Sequence, residues 1–124
     1  MGGRILIVDD DIDIRVTLTH CLSMMGYTVR TAIHGRDALD ILRGWRPDVV
    51  LLDSLMPVMG GLGFLRNRQA DPLLRTIPVL VMAARMNLRD VPRGADGVIT
   101  KPFALDQLVH QVNSLMSPRM SEVG

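Results

Sequence analysis

The sequence lacks the features that would place it outside the cell or in a membrane. It has a single cysteine, Cys21, so an internal disulfide is excluded and a reducing, cytoplasmic setting is expected. No apolar run is long enough to cross a membrane. The amino-terminal apolar run stops at Asp9, Asp10 and Asp11, which is unlike a signal peptide.

An excess of charge of either sign is also missing. The net charge is +1 and the basic residues are scattered, so the sequence predicts no contact with nucleic acid and none with a membrane. Of the 14 basic residues only Lys101 is a lysine, and it immediately precedes Pro102-Phe103. A lysine ammonium is a compact point charge, whereas a guanidinium is planar and wider. This one use of lysine indicates Lys101 as a candidate site residue.

What is present is the composition of one globular domain. The chain has 124 residues, of which 48% are apolar and 22% charged, and this is enough to bury a core. We predict a domain over residues 1–116 and a polar tail over residues 117–124.

Short apolar runs alternate with segments in which apolar residues recur at helical spacing. The runs predict five strands, at 4–8, 27–31, 49–52, 78–84 and 97–100. The helical segments lie at about 14–25, 38–42, 62–69 and 105–115. This alternation predicts an α/β fold, in which helices cover both faces of a parallel sheet.

Acidic side chains directly follow the predicted strands. Asp9 and Asp10 follow the first strand, Asp53 follows the third, and Lys101 follows the fifth. In a doubly wound sheet these ends lie at one edge, so three carboxylates and one ammonium should converge. Clustered carboxylates repel one another, and a hard cation such as Mg²⁺ relieves that repulsion. An aspartate that faces both a metal and a lysine is suited to attack a phosphoryl group. The alternative is a solvated acidic rim with one salt bridge.

Three motifs, taken in order, resemble a known family. They are Asp9-Asp10, Asp53-x-x-Met56-Pro57-x-x-x-Gly61 and Lys101-Pro102-Phe103. From about residue 4 to residue 116 the chain resembles the receiver domains of bacterial two-component response regulators. The resemblance implies a CheY-like, flavodoxin-type fold: a doubly wound, five-stranded parallel sheet of order 2-1-3-4-5 with helices on both faces.

The resemblance also implies roles for individual residues. Asp53 would be phosphorylated by a histidine kinase or a phosphotransfer protein. Asp10 would ligate Mg²⁺ directly and Asp9 through water, with Asp53 and the Leu55 backbone carbonyl as further ligands. Lys101 would pair with the phosphoryl oxygens, and its bond to Pro102 would be cis. Such a domain is no enzyme in the ordinary sense, because it catalyses only its own phosphoryl transfer and dephosphorylation. Its output would be phosphorylation-modulated binding of a downstream protein.

Two positions depart from the family pattern. The family has Ser or Thr at the end of the fourth strand, where this chain has Ala83, and often an aromatic residue in the fifth, where it has Val98. These side chains normally relay phosphorylation to the surface. The segment from Ala83 to Lys101 is also shorter than in the family by about one helical turn. With Pro92 inside it, we expect the fourth helix of the family pattern to be short or distorted.

The departures leave other functions open. The main alternative is a pseudo-receiver, a protein-interaction module that acts independently of phosphorylation. A phosphatase of the haloacid dehalogenase type would need a second aspartate at Leu55, which disfavours that class. A DNA-binding regulator would need an output domain, and residues 117–124 are too few to form one.

Overall fold

The computed structural model describes residues 2–54, 60–84 and 94–123. Five parallel strands form one sheet of order β2-β1-β3-β4-β5, which confirms the predicted topology. Each strand lies within about one residue of its predicted position. The strands are β1 Arg4–Val8, β2 Thr28–Ala32, β3 Val49–Asp53, β4 Val79–Ala84 and β5 Gly97–Lys101.

Four helices lie within the described residues, and the first three agree closely with the apolar spacing. The helices are α1 Ile12–Met24, α2 Gly35–Leu42, α3 Gly61–Ala70 and α4 Leu105–Val123. Helix α4 continues past Met116, so the segment predicted as a tail is helical as far as Val123. The distorted helix predicted between β4 and β5 falls largely on residues 85–93, which lie outside the described residues.

The sheet divides the core into two layers. On one face, α2 and α3 contribute residues such as Ala38 and Phe64, which pack on Leu6, Val50 and Val81 of the strands. On the other face, α1 and α4 contribute Leu18, Leu22, Leu108 and Val112. Every residue of β3 is buried, because helices cover both faces of this central strand.

Helix α1 begins immediately after the first acidic pair. Asp11 is its N-cap, and the Asp11 carboxylate accepts a hydrogen bond from the Asp13 N–H at 2.9 Å. The helix ends before Gly26, whose φ of +96° is a left-handed conformation that glycine adopts without strain. The loop that carries Asp9 and Asp10 is therefore short and is joined directly to a capped helix.

A buried arginine joins α3 to the strand ends opposite the acids. Arg68 donates to the backbone carbonyls of Ile77 at 2.9 Å and Gly94 at 3.2 Å, and to the Asp96 carboxylate at 3.0 Å. The same Asp96 oxygen accepts the Val79 N–H at 2.8 Å. Arg68 thereby links α3 to the starts of β4 and β5.

Candidate functional site

Strand pairing brings the two buried acids side by side. Val8 at the end of β1 is the partner of Leu52 in β3, so Asp9 and Asp53 follow at neighbouring positions of the carboxyl edge. Side chains alternate along a strand, and Ile7 and Leu51 both face α1 and α4. The side chains of Asp9 and Asp53 therefore project on that same face of the sheet.

Lys101 reaches this pair from two strands away. Lys101 ends β5 and is paired with Ala84 of β4. Because β4 lies between β5 and β3, the backbones of β5 and β3 are about 10 Å apart. The long lysine side chain crosses β4, and its Nζ lies 3.1 Å from Asp53 Oδ1 and 3.2 Å from Asp9 Oδ2. One ammonium thus bridges carboxylates from two different strands.

The three predicted acids form one cluster with unequal burial. One carboxylate oxygen from each of Asp9, Asp10 and Asp53 lies within 4.8 Å of the others. Asp9 is 1% exposed and Asp53 8%, whereas Asp10 is exposed to solvent. The cluster therefore combines two buried carboxylates with one that is exposed to solvent.

The charge of Lys101 responds to this environment. Burial is the largest single influence and lowers the pKa of the ammonium, but attraction to Asp53 and Asp9 and hydrogen bonds to both outweigh it. The net result is a pKa raised above the ordinary lysine value. Lys101 is therefore fully charged at neutral pH.

Asp9 is held by contacts at both its side chain and its backbone. Its Oδ1 accepts the Asp11 N–H at 2.9 Å, and its own N–H donates to the Ala32 carbonyl at 3.1 Å. Its carbonyl accepts a hydrogen bond from Arg15 Nη1 at 2.8 Å. The strand-end pattern does not point to Arg15, because this residue lies within α1. The only sequence signal is its position, about one turn into the helix that the acids precede.

The donor set of the cluster fits a magnesium ion. Ligands at 2.0–2.1 Å from one Mg²⁺ lie at most about 4.2 Å apart, so the separation of up to 4.8 Å calls for only small adjustment. All three donors are carboxylate oxygens, which this hard cation prefers. Exposure of Asp10 leaves room for the water ligands that Mg²⁺ retains.

The remaining predicted site positions have different outcomes. Leu55, predicted to offer its carbonyl, lies outside the described residues. The Lys101–Pro102 peptide is cis, which confirms the implied geometry. Ala83 is 2% exposed within the core layer of α2 and α3, and Val98 packs against the same layer. Both switch positions therefore pack against the layer formed by α2 and α3.

An apolar groove adjoins the cluster. Its walls come from the inner side of α1 and from the turn that follows β5, and Lys101 lies at its edge. The lining residues are Asp13, Ile14, Thr17, Leu18, Lys101, Pro102 and Phe103.

Comparison with known proteins identifies the family. The sequence model of the response regulator receiver domain matches residues 5–113 of this chain. The chain belongs to the response regulator receiver family. This receiver domain is 39% identical over 120 residues to response regulator MprA of Mycolicibacterium vanbaalenii, a match that covers 94% of the chain and 51% of that relative. The chain thus spans about half the length of that relative.

Solved structures agree with this membership. The signal receiver domain of a signal transduction histidine kinase from Syntrophus aciditrophicus is 39% identical, with a TM-score of 0.86 over 94% of this chain and 91% of that one. Chemotaxis protein CheY4 of Vibrio cholerae is 31% identical, with a TM-score of 0.83 over 93% and 99%. The receiver domain therefore has the CheY-like, flavodoxin-type fold. Within the described residues, no helix has the length and apolar character needed to span a membrane.

Proposed function

We propose that Asp53 is the phosphoacceptor of this receiver domain and that the transfer requires Mg²⁺. The observation that carries the proposal is the bridge from Lys101 Nζ to Asp53 and Asp9, with the Asp10 carboxylate beside it. A receiver domain takes part in phosphorylation-based signalling. Asp53 is the acid of this cluster that both ends a strand and contacts the ammonium.

The proposed reaction transfers a phosphoryl group from a histidine to Asp53. An oxygen of the Asp53 carboxylate attacks phosphorus, and the new P–O bond forms as the P–N bond to the histidine breaks. The phosphohistidine ring carries a proton on its other nitrogen before transfer, so the imidazole leaves as a neutral group when its first nitrogen keeps the electron pair of the P–N bond. As the phosphoryl group becomes attached to Asp53, the Lys101 ammonium exchanges its contact with the Asp53 carboxylate for one with a negatively charged phosphoryl oxygen.

The three acids would coordinate the cation in different ways. Asp10, which is exposed, would ligate Mg²⁺ directly together with Asp53, and the buried Asp9 would contribute through water. The Leu55 carbonyl would supply a further oxygen. Bound Mg²⁺ neutralises negative charge where the carboxylates and the phosphoryl oxygens approach each other. The domain would act only on itself, in accepting and later losing the phosphoryl group, so we do not assign it an enzyme activity on a separate substrate.

The proposed partner is a histidine kinase or a phosphotransfer protein. Asp53 is 8% exposed at the end of β3, so a donor histidine has to approach it from the carboxyl edge of the sheet. The apolar groove beside Lys101 gives the donor's helix a surface to pack on, because its walls include Ile14, Leu18 and Phe103. A cytoplasmic location belongs to the same proposal, and neither a nucleic acid nor a membrane is needed as a partner.

Phosphorylation with a small donor tests the acceptor residue. The chain is incubated with acetyl phosphate and Mg²⁺ and its intact mass is measured, together with that of Asp53→Asn and of the control Asp40→Asn. Asp40 is an exposed aspartate on α2, away from the carboxyl edge. We expect one phosphoryl adduct on the wild type and on Asp40→Asn, and none on Asp53→Asn or in EDTA. An adduct that persists in Asp53→Asn would falsify the assignment.

The output surface is a second part of the proposal. With Ala83 and Val98 at the switch positions, we place the output on α1 and α4, which pack on the face of the sheet that carries Asp53. Tyr27 Oη donates to Asn113 Oδ1 at 2.6 Å and so ties the chain just before β2 to α4. Binding of a downstream protein should therefore depend on phosphorylation and survive substitutions in residues 85–93. Loss of binding on those substitutions contradicts this placement.

Ala83 and Val98 also support a second candidate function, a pseudo-receiver that binds its partner irrespective of phosphate. Beryllofluoride, a phosphoryl mimic, separates the two in calorimetric titrations with Mg²⁺. A receiver that still responds should bind beryllofluoride only with Mg²⁺ and lose that binding in Asp53→Asn. A pseudo-receiver would give no heat of binding and an unchanged affinity for its partner.

A further inference from the structure

Among the described residues, Arg15 is the one cation other than Lys101 that contacts the backbone or side chains of residues 9–11. Its own N–H donates to the Asp11 carbonyl at 3.1 Å as part of the first turn of α1. Its side chain turns back towards the loop, and Nη1 donates to the Asp9 carbonyl at 2.8 Å. Arg15 therefore holds the loop from inside the helix that follows it.

The carbonyl that Arg15 binds belongs to the peptide unit between Asp9 and Asp10. A peptide unit is planar, so its rotation changes ψ of Asp9 and φ of Asp10 together. The Asp9 carboxylate is also fixed by the Asp11 N–H and by Lys101. The exposed Asp10 carboxylate forms no hydrogen bond or ion pair with the described part of the chain, so the backbone, through the direction of the Cα–Cβ bond, is what directs it towards the cluster.

The guanidinium is not committed to another charge. No carboxylate among residues 2–54, 60–84 and 94–123 forms an ion pair with Arg15. The half-buried guanidinium donates to a neutral carbonyl instead. A charged donor makes a stronger hydrogen bond than a neutral one. A contact of this kind orients a ligand without competing for the metal.

We propose that Arg15 is a positioning residue for the magnesium ligands, acting through the Asp9–Asp10 peptide. This inference rests on the proposed function. The guanidinium fixes the peptide plane, and the plane presents the Asp10 carboxylate at the spacing from Asp53 that one ion requires. A purely electrostatic role predicts the opposite sign, because a positive charge beside a cation site weakens cation binding.

Magnesium titration by calorimetry distinguishes the two roles. The protein set is the wild type, Arg15→Met, Arg15→Lys and the control Arg36→Met. Arg36 is an exposed arginine of α2 that forms no ion pair with the described residues. We expect Arg15→Met to weaken Mg²⁺ binding about ten- to a hundredfold, as loss of a ligand-orienting partner does. Arg15→Lys should also weaken it, because it keeps the charge but not the planar fork. Arg36→Met should bind as the wild type does.

A second measurement separates positioning from a general loss of structure. At saturating Mg²⁺ the rate of phosphorylation by acetyl phosphate should return to within about twofold of the wild type in Arg15→Lys, because only the magnesium affinity has changed. If Arg15→Met does not fold, Arg15→Lys and Arg15→Gln decide the matter by the same two measurements. Unchanged or tighter Mg²⁺ binding by the Arg15 variants overturns the inference. Absence of Mg²⁺ binding by the wild type instead overturns the proposed function.

Discussion

Lys101 balances two carboxylates that the fold removes from water. Asp9 is 1% exposed, and Lys101 is its partner at 3.2 Å. Replacement by methionine keeps the length of the side chain but leaves a buried charge without a counterion. In EDTA, Lys101→Met should lower the free energy of unfolding by about 3 kcal/mol, the size of a broken buried ion pair. Urea denaturation measures this.

The control for this prediction also removes one of the two carboxylates that Lys101 contacts. The double variant Asp9→Asn/Lys101→Met retains one of these buried carboxylates instead of two, so it should regain part of the stability that Lys101→Met loses. Saturating Mg²⁺ should also recover part of the loss in the single variant, since it supplies a replacement cation. A single variant as stable as the wild type in EDTA would show that the bridge contributes nothing.

Ala83 allows the missing hydroxyl to be put back. Ala83→Thr should increase the steady-state fraction phosphorylated, because one charge-assisted hydrogen bond of about 1.5–3 kcal/mol becomes available to the phosphoryl group. This corresponds to about a tenfold or larger change in the ratio of phosphorylated to free protein. Ala83→Val is the matched control, since valine has the shape of threonine without the hydroxyl. Equal phosphorylation of the two variants contradicts the prediction.

The positions of the site residues could be predicted from the sequence, whereas their burial and their backbone contacts could not. The strand-end positions of Asp9, Asp10, Asp53 and Lys101 could be predicted, because apolar runs mark buried strands and parallel strands end at one edge. The difference between a buried Asp9 and an exposed Asp10 could not, since it depends on how the loop packs. Nor could the role of Arg15, whose partner is a backbone carbonyl that carries no sequence signal.

Helix α3 depends on a different arginine, at the other end of the sheet. Arg68 is 4% exposed and makes three hydrogen bonds across two strand starts. Its burial lowers the pKa of the guanidinium, and attraction to Asp96 only partly offsets this. Arg68→Met should therefore lower the free energy of unfolding by about 3 kcal/mol, because two carbonyls and one carboxylate lose their donor.

The measurement pairs Arg68→Met with Arg66→Met, an exposed arginine on the same helix. Urea denaturation should show the loss only in the Arg68 variant. Mg²⁺ affinity should be unchanged in both, because the acids lie at the opposite edge of the sheet. A drop in Mg²⁺ affinity in Arg68→Met would mean that the two edges are coupled.

The boundaries of the strands could be predicted from the sequence, whereas the end of helix α4 could not. Strands were predictable to about one residue, because β-branched runs end at polar residues or glycine. The length of α4 was not, since the apolar stripe of α4 stops at Leu115 while the helix continues to Val123. An apolar stripe reports which face packs on the sheet, and it does not report where backbone hydrogen bonding stops.

At the scale of the whole molecule, the carboxyl edge of the sheet is electrostatically unfavourable when no cation is bound there. Three carboxylates share one ammonium there, so the cluster keeps an excess of negative charge when no metal is bound. Like charges at this distance destabilise the folded state. The fold tolerates them because two buried core layers stabilise the sheet beneath. Sheet order and the location of this edge were predictable, since connection rules leave few topologies.

Stability should therefore change in opposite directions with and without Mg²⁺ when Asp10 is neutralised. At a hundred times its dissociation constant, Mg²⁺ should stabilise the wild type by about 2.7 kcal/mol and raise Tm by about 10 °C. Asp10→Asn should melt at a higher temperature than the wild type in EDTA, because it relieves repulsion, yet gain little from Mg²⁺. Calorimetric scans of both proteins, with Asp40→Asn as the exposed control, measure the two effects. If Asp10→Asn melts below the wild type in EDTA while Asp40→Asn does not, the carboxylates do not repel one another in the free protein, and the cluster needs no cation to offset them.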